Sequence, residues 1–176
     1  MTLGVPKNQV LLVPYDDQWQ TAFQQTKTTL LRVTRLTDRQ IEHIGSTAIE
    51  GLKAKPIIDL LIGVENLLTL DDDFFLQLQA CGFYRLQIKK ADEIICAKFA
   101  DSDFNIKTHI IHLVTIHQEK WHDLIFFRDF LKQQLAYRQE YEEVKVAFFE
   151  TEDQGIEAYT SYKEAFVKKI LDFRQA

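Results

Sequence analysis

The run from Pro56 to Val64, PIIDLLIGV, constrains this chain more than any other stretch. Its β-branched and leucine side chains suit a strand buried on both faces. Asp59 sits in the middle of it. A carboxylate among apolar neighbours is costly unless it binds a cation, accepts several hydrogen bonds or takes up a proton, so Asp59 is the leading candidate for chemistry. Upstream, Ile41 and Ile44 bracket Glu42 and His43, and the chain then breaks at Gly45-Ser46-Thr47. Small residues at such a break let backbone N–H groups approach an anion closely. Lys53 and Lys55 add positive charge just before the strand, and His43 is near enough in sequence to share the site. Between the breakers Gly45 and Pro56, the expected order is strand, Gly-Ser turn, short helix and strand, with Asp59 facing the turn.

The chain has 176 residues, which suits one domain with an α/β core over 1–116 and C-terminal helices over 117–176. A chain of this length buries roughly 70% of the surface its unfolded form exposes. Hydrophobic residues make up 46% and charged residues 27%, which argues against disorder. A net charge of -5 argues against broad adhesion to nucleic acid or an anionic membrane, while leaving a local basic site open. No signal-like N-terminus and no apolar run of bilayer-spanning length is present, so a soluble, cytoplasmic protein is expected. Cys81 and Cys96 lack metal or redox spacing and lie among apolar residues, which fits buried free thiols.

Taken in order, Val10 to Val13 reads as a short strand, and Asp16-Asp17 caps a helix that runs from Gln18 to about Leu36. Trp19, Phe23 and Leu30 mark its buried stripe. Leu67, Leu70, Phe74 and Leu78 keep helical spacing up to a cap at Gly82, with Asp71 to Asp73 on a solvated face. Three strand-like runs follow at Phe83 to Ile88, Glu93 to Ala100 and Asn105 to Ile116, and antiparallel pairing is their simplest connection. From His117 the period is helical, giving two or three C-terminal helices with a break at Thr151 to Gln154. The fold class is α+β, a mixed sheet with a helical end.

Two readings of the Gly-Ser turn stand on the residues alone: a phosphate or nucleotide site, and a structural turn. His109 and His112 lie three apart on one strand and should face opposite ways, one in the core and one free to act. Aspartate with histidine suits Mg, Mn or Zn, and no HExxH or paired-cysteine spacing selects among them. Arg128 can reach a phosphate from the C-terminal helices, against a salt bridge to Asp129 or Glu140. Walker, dinucleotide-binding and nucleophile-elbow motifs are absent from the sequence.

The segments VPYDDQW (13–19), IEHIGSTAIEGLKAKPIIDLLIGV (41–64), THIIHLV (108–114) and LIFFRDFL (124–131), with Tyr159 and Lys163, resemble the GrpB family of bacterial proteins. The resemblance spans nearly the whole chain. It implies the polymerase-β-like fold of the nucleotidyltransferase superfamily, a mixed β-sheet flanked by helices, and related domains occur fused to dephospho-coenzyme A kinases. In that superfamily a Gly-Ser turn contacts nucleotide phosphates and an Asp-x-Asp or Asp-x-Glu strand holds divalent metal. The resemblance therefore implies Asp59 as catalytic residue, and Mg or Mn held by Asp59 with His112 and Glu42. A nucleotide or phosphorylated small molecule would lie against Gly45, Ser46, Thr47, Lys53, Lys55, His43 and Arg128. The second carboxylate of the motif falls on Leu61, and His112 occupies the place of a third; Glu50 stands where proline is expected. Three functions follow: a metal-dependent nucleotidyl or phosphoryl transferase, a nucleotide or phosphometabolite binding module without turnover, and a metal-dependent hydrolase using Asp59 with His112.

Overall fold

The computed structural model describes residues 3–7, 9, 11–150 and 156–175. Among the described residues, six strands form one mixed sheet: β1 (Val5–Pro6), β2 (Ile41–Ile44), β3 (Ile58–Val64), β4 (Phe83–Arg85), β5 (Ile94–Phe99) and β6 (Ile106–Thr115). Their order is β2-β3-β6-β5-β4, with β1 pairing the start of β6. All pairs are antiparallel except β3 with β6. The α-helices among the described residues are α1 (Gln18–Val33), α2 (Asp72–Ala80), α3 (Glu119–Gln133), α4 (Leu135–Glu150) and α5 (Ile156–Gln175). The α+β class read from the sequence holds.

The period of β3 divides its side chains between two cores. Ile58, Leu60 and Ile62 point to the side covered by α1, where they pack with Trp19, Phe23, Leu30, Ile111 and Phe83. Leu61 points the other way, into a small cluster with Ile44, Val114 and Trp121 of α3. A third cluster joins the C-terminal helices to the segment between β2 and β3, through Leu131, Tyr141, Phe166 and Ile170 against Ile49 and Leu52. Asp59 shares the face of Leu61 because the two are separated by one residue on a strand. Where α3 leaves that face open, Asp59 meets a cavity.

Several local expectations change. Within the expected strand Val10 to Val13, residue 10 lies outside the described residues, and Val13 makes only an isolated bridge to Ala54. The strand that joins the sheet instead is β1. Helix α1 stops at Val33 rather than Leu36, because Thr34 turns extended and its hydroxyl bonds the Leu30 carbonyl at 2.8 Å. The stretch expected as one helix from Leu67 splits: a 3-10 turn over Leu67–Thr69 precedes α2, whose start is fixed by the Asp71 carboxylate accepting the Phe74 N–H at 2.9 Å. Strand β4 ends at Arg85, short of Ile88. The break at Thr151 to Gln154 falls outside the described residues. Cys81 and Cys96 are buried free thiols. Among the described residues, no helix is long and apolar enough to cross a membrane.

Candidate functional site

Gly45 ends β2 at φ 72, ψ -174, a conformation that L side chains rarely adopt, and Ser46–Ala48 follow as a 3-10 turn. The need for glycine is steric as well. A Cβ at position 45 would sit 2.3 Å from Asp59 Oδ2, so the backbone of the turn lies directly on the Asp59 carboxylate. This is the apposition read from the sequence. The first N–H groups of such a turn have no acceptor within it, which leaves them available at the cavity mouth.

The cavity holds about 530 Å³ and is bounded by the Gly45-Ser46-Thr47 turn, Asp59, and side chains of β6, α3, α4 and α5. Lys55, Lys107, Lys120, Lys145, Lys163 and His112 line it, against the carboxylates of Asp59 and Asp123. Asp123 is already engaged by Arg174. The remaining wall is apolar, with Ile44, Ile57, Leu124, Phe127 and Tyr141 among its members. Such a cavity combines excess positive charge with a hydrocarbon and aromatic surface.

Ser46 is held from the C-terminal side. Lys145 Nζ lies 3.4 Å from Ser46 Oγ and also donates to the Lys53 carbonyl. The buried Tyr141 ring has its centroid 4.7 Å from the same ammonium. Burial lowers the Lys145 pKa to about 7; Glu142 opposes that shift and the nearby Lys163 adds to it. Lys55 is also pushed down, first by burial and then by Lys163. These ammonium groups are therefore crowded together and partly desolvated.

His112 stands beside Asp59, with Nε2 3.6 Å from Oδ1, and its Nδ1 hydrogen-bonds the buried Glu93 carboxylate just before β5. Burial disfavours the charged ring, yet the hydrogen bonds to Asp59 and Glu93 outweigh it and lift the pKa to about 9. Glu93 answers in kind: burial would raise it, but His112 and Lys90 hold it down at about 2. His109 faces the opposite way, as its spacing predicts, and sits buried 3.2 Å from Thr26 Oγ1.

The pair sets a pH dependence. Glu93 titrates below its ordinary 4.5, so its contribution is complete above that pH and is lost as pH falls through about 2. His112 titrates above its ordinary 6.5, so its contribution is complete below that pH and is lost as pH rises through about 9. The core histidines His43 and His109 have pKa values lowered to about 4 by burial, so they withdraw stability as pH falls below 6.5 in the wild type and the variant alike. The difference in unfolding free energy between wild type and His112→Ala should therefore peak between pH 4.5 and 6.5. Its size there should be about 3 kcal/mol, the cost of stranding a buried charge, read by urea denaturation. A difference independent of pH would contradict the pairing.

Of the expected site residues, Gly45, Ser46, Thr47, Lys55, Asp59 and His112 come together at the cavity. Others do not. His43 is on the opposite face of β2, stacked on Phe23 with 4.6 Å between ring centroids and bonded through Nε2 to Thr47 Oγ1, so it braces the turn from behind. Arg128 is taken up by Glu42 at 2.6 Å, by Asp129 at 2.7 Å and by the His43 carbonyl at 2.9 Å, which ties α3 to β2. The same bond occupies Glu42. Lys53 lies outside the cavity in an ion pair with Glu142 at 3.4 Å. Glu50 is exposed, and its carbonyl accepts from Arg138.

The residues present do not fit the Mg or Mn clamp that the resemblance implies. Leu61 is fully buried under Trp121, Glu42 is bound by Arg128, and His112 has carboxylates at both ring nitrogens. Among the described residues, no group of three or more His, Cys, Asp or Glu is arranged to hold a metal ion.

The family model described as GrpB protein matches residues 9–172. The chain belongs to the GrpB family. It is 36% identical over 171 residues to the glutamate-rich protein GrpB of Alkalihalophilus pseudofirmus, covering 97% of this chain and 98% of that one. The crystal structure of a conserved GrpB protein from Enterococcus faecalis superimposes with a TM-score of 0.78 at 21% identity, covering 94% of this chain and all of that one. A structure of the Cid1 poly(U) polymerase with magnesium and 3'-dATP gives a TM-score of 0.50 at 14% identity, covering 77% of this chain and 42% of that one. These likenesses show a nucleotidyltransferase-like fold for this GrpB chain. Lys107, Lys120, Lys145 and Glu93 of the site were not singled out in its sequence. The i, i+4 spacing of Tyr141 and Lys145 on α4 was the available signal, since it puts both on one helix face.

Proposed function

We propose that this GrpB protein is a binding module for a nucleotide or a similar phosphorylated small molecule. The observation that carries the reading is the seating of the Gly45 turn on Asp59 at the mouth of a lysine-lined cavity. Charge-assisted hydrogen bonds from lysines and turn N–H groups suit phosphate oxygens. The apolar wall at Phe127 and Tyr141 suits the organic part of such a ligand. Binding is favoured over phosphoryl transfer because Leu61, buried with Ile44, Val114 and Trp121, takes the place of a carboxylate that transfer through two ions requires.

A thermal-shift panel of nucleoside triphosphates, nucleoside monophosphates and sugar phosphates tests this. A ligand at about a hundred times its Kd should stabilise the fold by about 2.7 kcal/mol and raise Tm by about 5–10 °C. Ser46→Ala and Lys55→Ala should remove most of that rise. Equal melting temperatures throughout the panel would favour a structural turn instead.

A further inference from the structure

Cations already crowd the place where phosphates would lie, and the side chains that would hold a metal ion are otherwise engaged. Lys145 reaches Ser46 from α4, and Lys163 of α5 is close enough to act electrostatically on both Lys55 and Lys145. In the same space Asp59 already faces His112, with 3.6 Å between its Oδ1 and the ring Nε2, and the strand offers no second carboxylate. A divalent ion entering here would meet several ammonium groups within one cavity of about 530 Å³ and a single partly open carboxylate, Asp59, on its strand. Coulomb repulsion opposes that entry, whereas an uncomplexed phosphate chain relieves the crowding of the lysines.

We propose that this cavity takes its phosphorylated ligand in metal-free form, the ammonium groups of Lys55, Lys145 and Lys163 standing where a divalent ion would otherwise neutralise the phosphates. The proposal rests on the reading of the cavity as a phosphate site and deepens it, because it names the species recognised: the free polyphosphate anion. Magnesium then acts as a competitor. It draws ATP or pyrophosphate into a complex of lower negative charge, which the lysines attract less strongly. Two of the three cations come from helices more than eighty residues downstream of the turn, so the C-terminal helices are part of the recognition surface as well as a cover for the sheet.

Isothermal titration calorimetry on the full chain, with pyrophosphate and ATP as probes, separates the possibilities. In EDTA both should bind, and millimolar magnesium should weaken ATP binding by about threefold or more. Lys163 is solvent-exposed and repels Lys55 and Lys145, so Lys163→Met should not lower the melting temperature. It should lower affinity in EDTA about tenfold, the effect of losing one charge-assisted contact. Lys145→Met should lower it at least as much, with circular dichroism confirming the fold. Tenfold or greater tightening by magnesium or manganese would overturn the metal-free proposal and leave the phosphate reading standing. Unchanged affinity in Lys163→Met and Lys145→Met would overturn it too. No binding of either probe under any metal condition would overturn the phosphate reading and the proposal with it.

Discussion

Gly45→Ala is expected to lower stability by about 3 kcal/mol and the melting temperature by about 10 °C, while abolishing ligand-induced stabilisation. Two effects add. The backbone at φ 72 is unfavourable for alanine, and the new Cβ would lie 2.3 Å from Asp59 Oδ2 and 3.0 Å from its Cγ. Asp59 belongs to β3, which is paired on both sides by β2 and β6, so its backbone has little room to retreat. The carboxylate must instead rotate away from the turn and give up its place beside His112. Gly51→Ala supplies the control. Gly51 has a similar φ of +76 but nothing within 4 Å of an added Cβ, so only the conformational part remains, about 1 kcal/mol. Equal losses from the two substitutions, by thermal or urea denaturation, would contradict the close apposition of turn and carboxylate.

Leu61→Asp should fare worse. The substitution recreates an Asp-x-Asp strand on paper, yet Leu61 is fully buried among Ile44, Val114 and Trp121. It also lies opposite Glu42 in the register with β2, so a new carboxylate would gain a negative neighbour. Truncation alone, as in Leu61→Ala, should cost about 2–5 kcal/mol through the cavity it leaves. An unpaired buried carboxylate should exceed that and leave the domain largely unfolded at 37 °C. No gain in manganese binding is expected. A well-folded Leu61→Asp protein that binds manganese by electron paramagnetic resonance would show that the strand tolerates a two-carboxylate site.

Much of the central geometry was legible because it is local. The apolar run with Asp59, the glycine before Ser46 and the proline at 56 specify strand, turn and strand within one short stretch, and a period of two assigned His109 and His112 to opposite faces. What the sequence hid depends on distant pairings. Periodicity reports that a residue is buried or exposed, and is silent on which remote side chain it meets. Glu42 looked free to ligate a metal until Arg128, eighty-six positions away, was found on it. Glu93 opened an apparently ordinary strand, and its bond to His112 depends on β5 pairing with β6. The Val10 to Val13 run has strand composition, but Val13 makes only an isolated bridge to Ala54, while Val5 and Pro6 pair with β6. Lys145 reads as one charge on a helix surface, and only the folding of α4 over the turn turns it inward.

The central claim is that phosphate lies at the Gly45 turn over Asp59. Amide chemical-shift mapping with inorganic pyrophosphate in EDTA tests it most directly. The account predicts that the largest perturbations fall on the N–H groups of Gly45, Ser46 and Thr47, with smaller ones at Asp59 and Lys145. Perturbations confined to other basic surfaces, such as the Arg138 and Lys132 side of the molecule, with the turn unmoved at saturation, would contradict it.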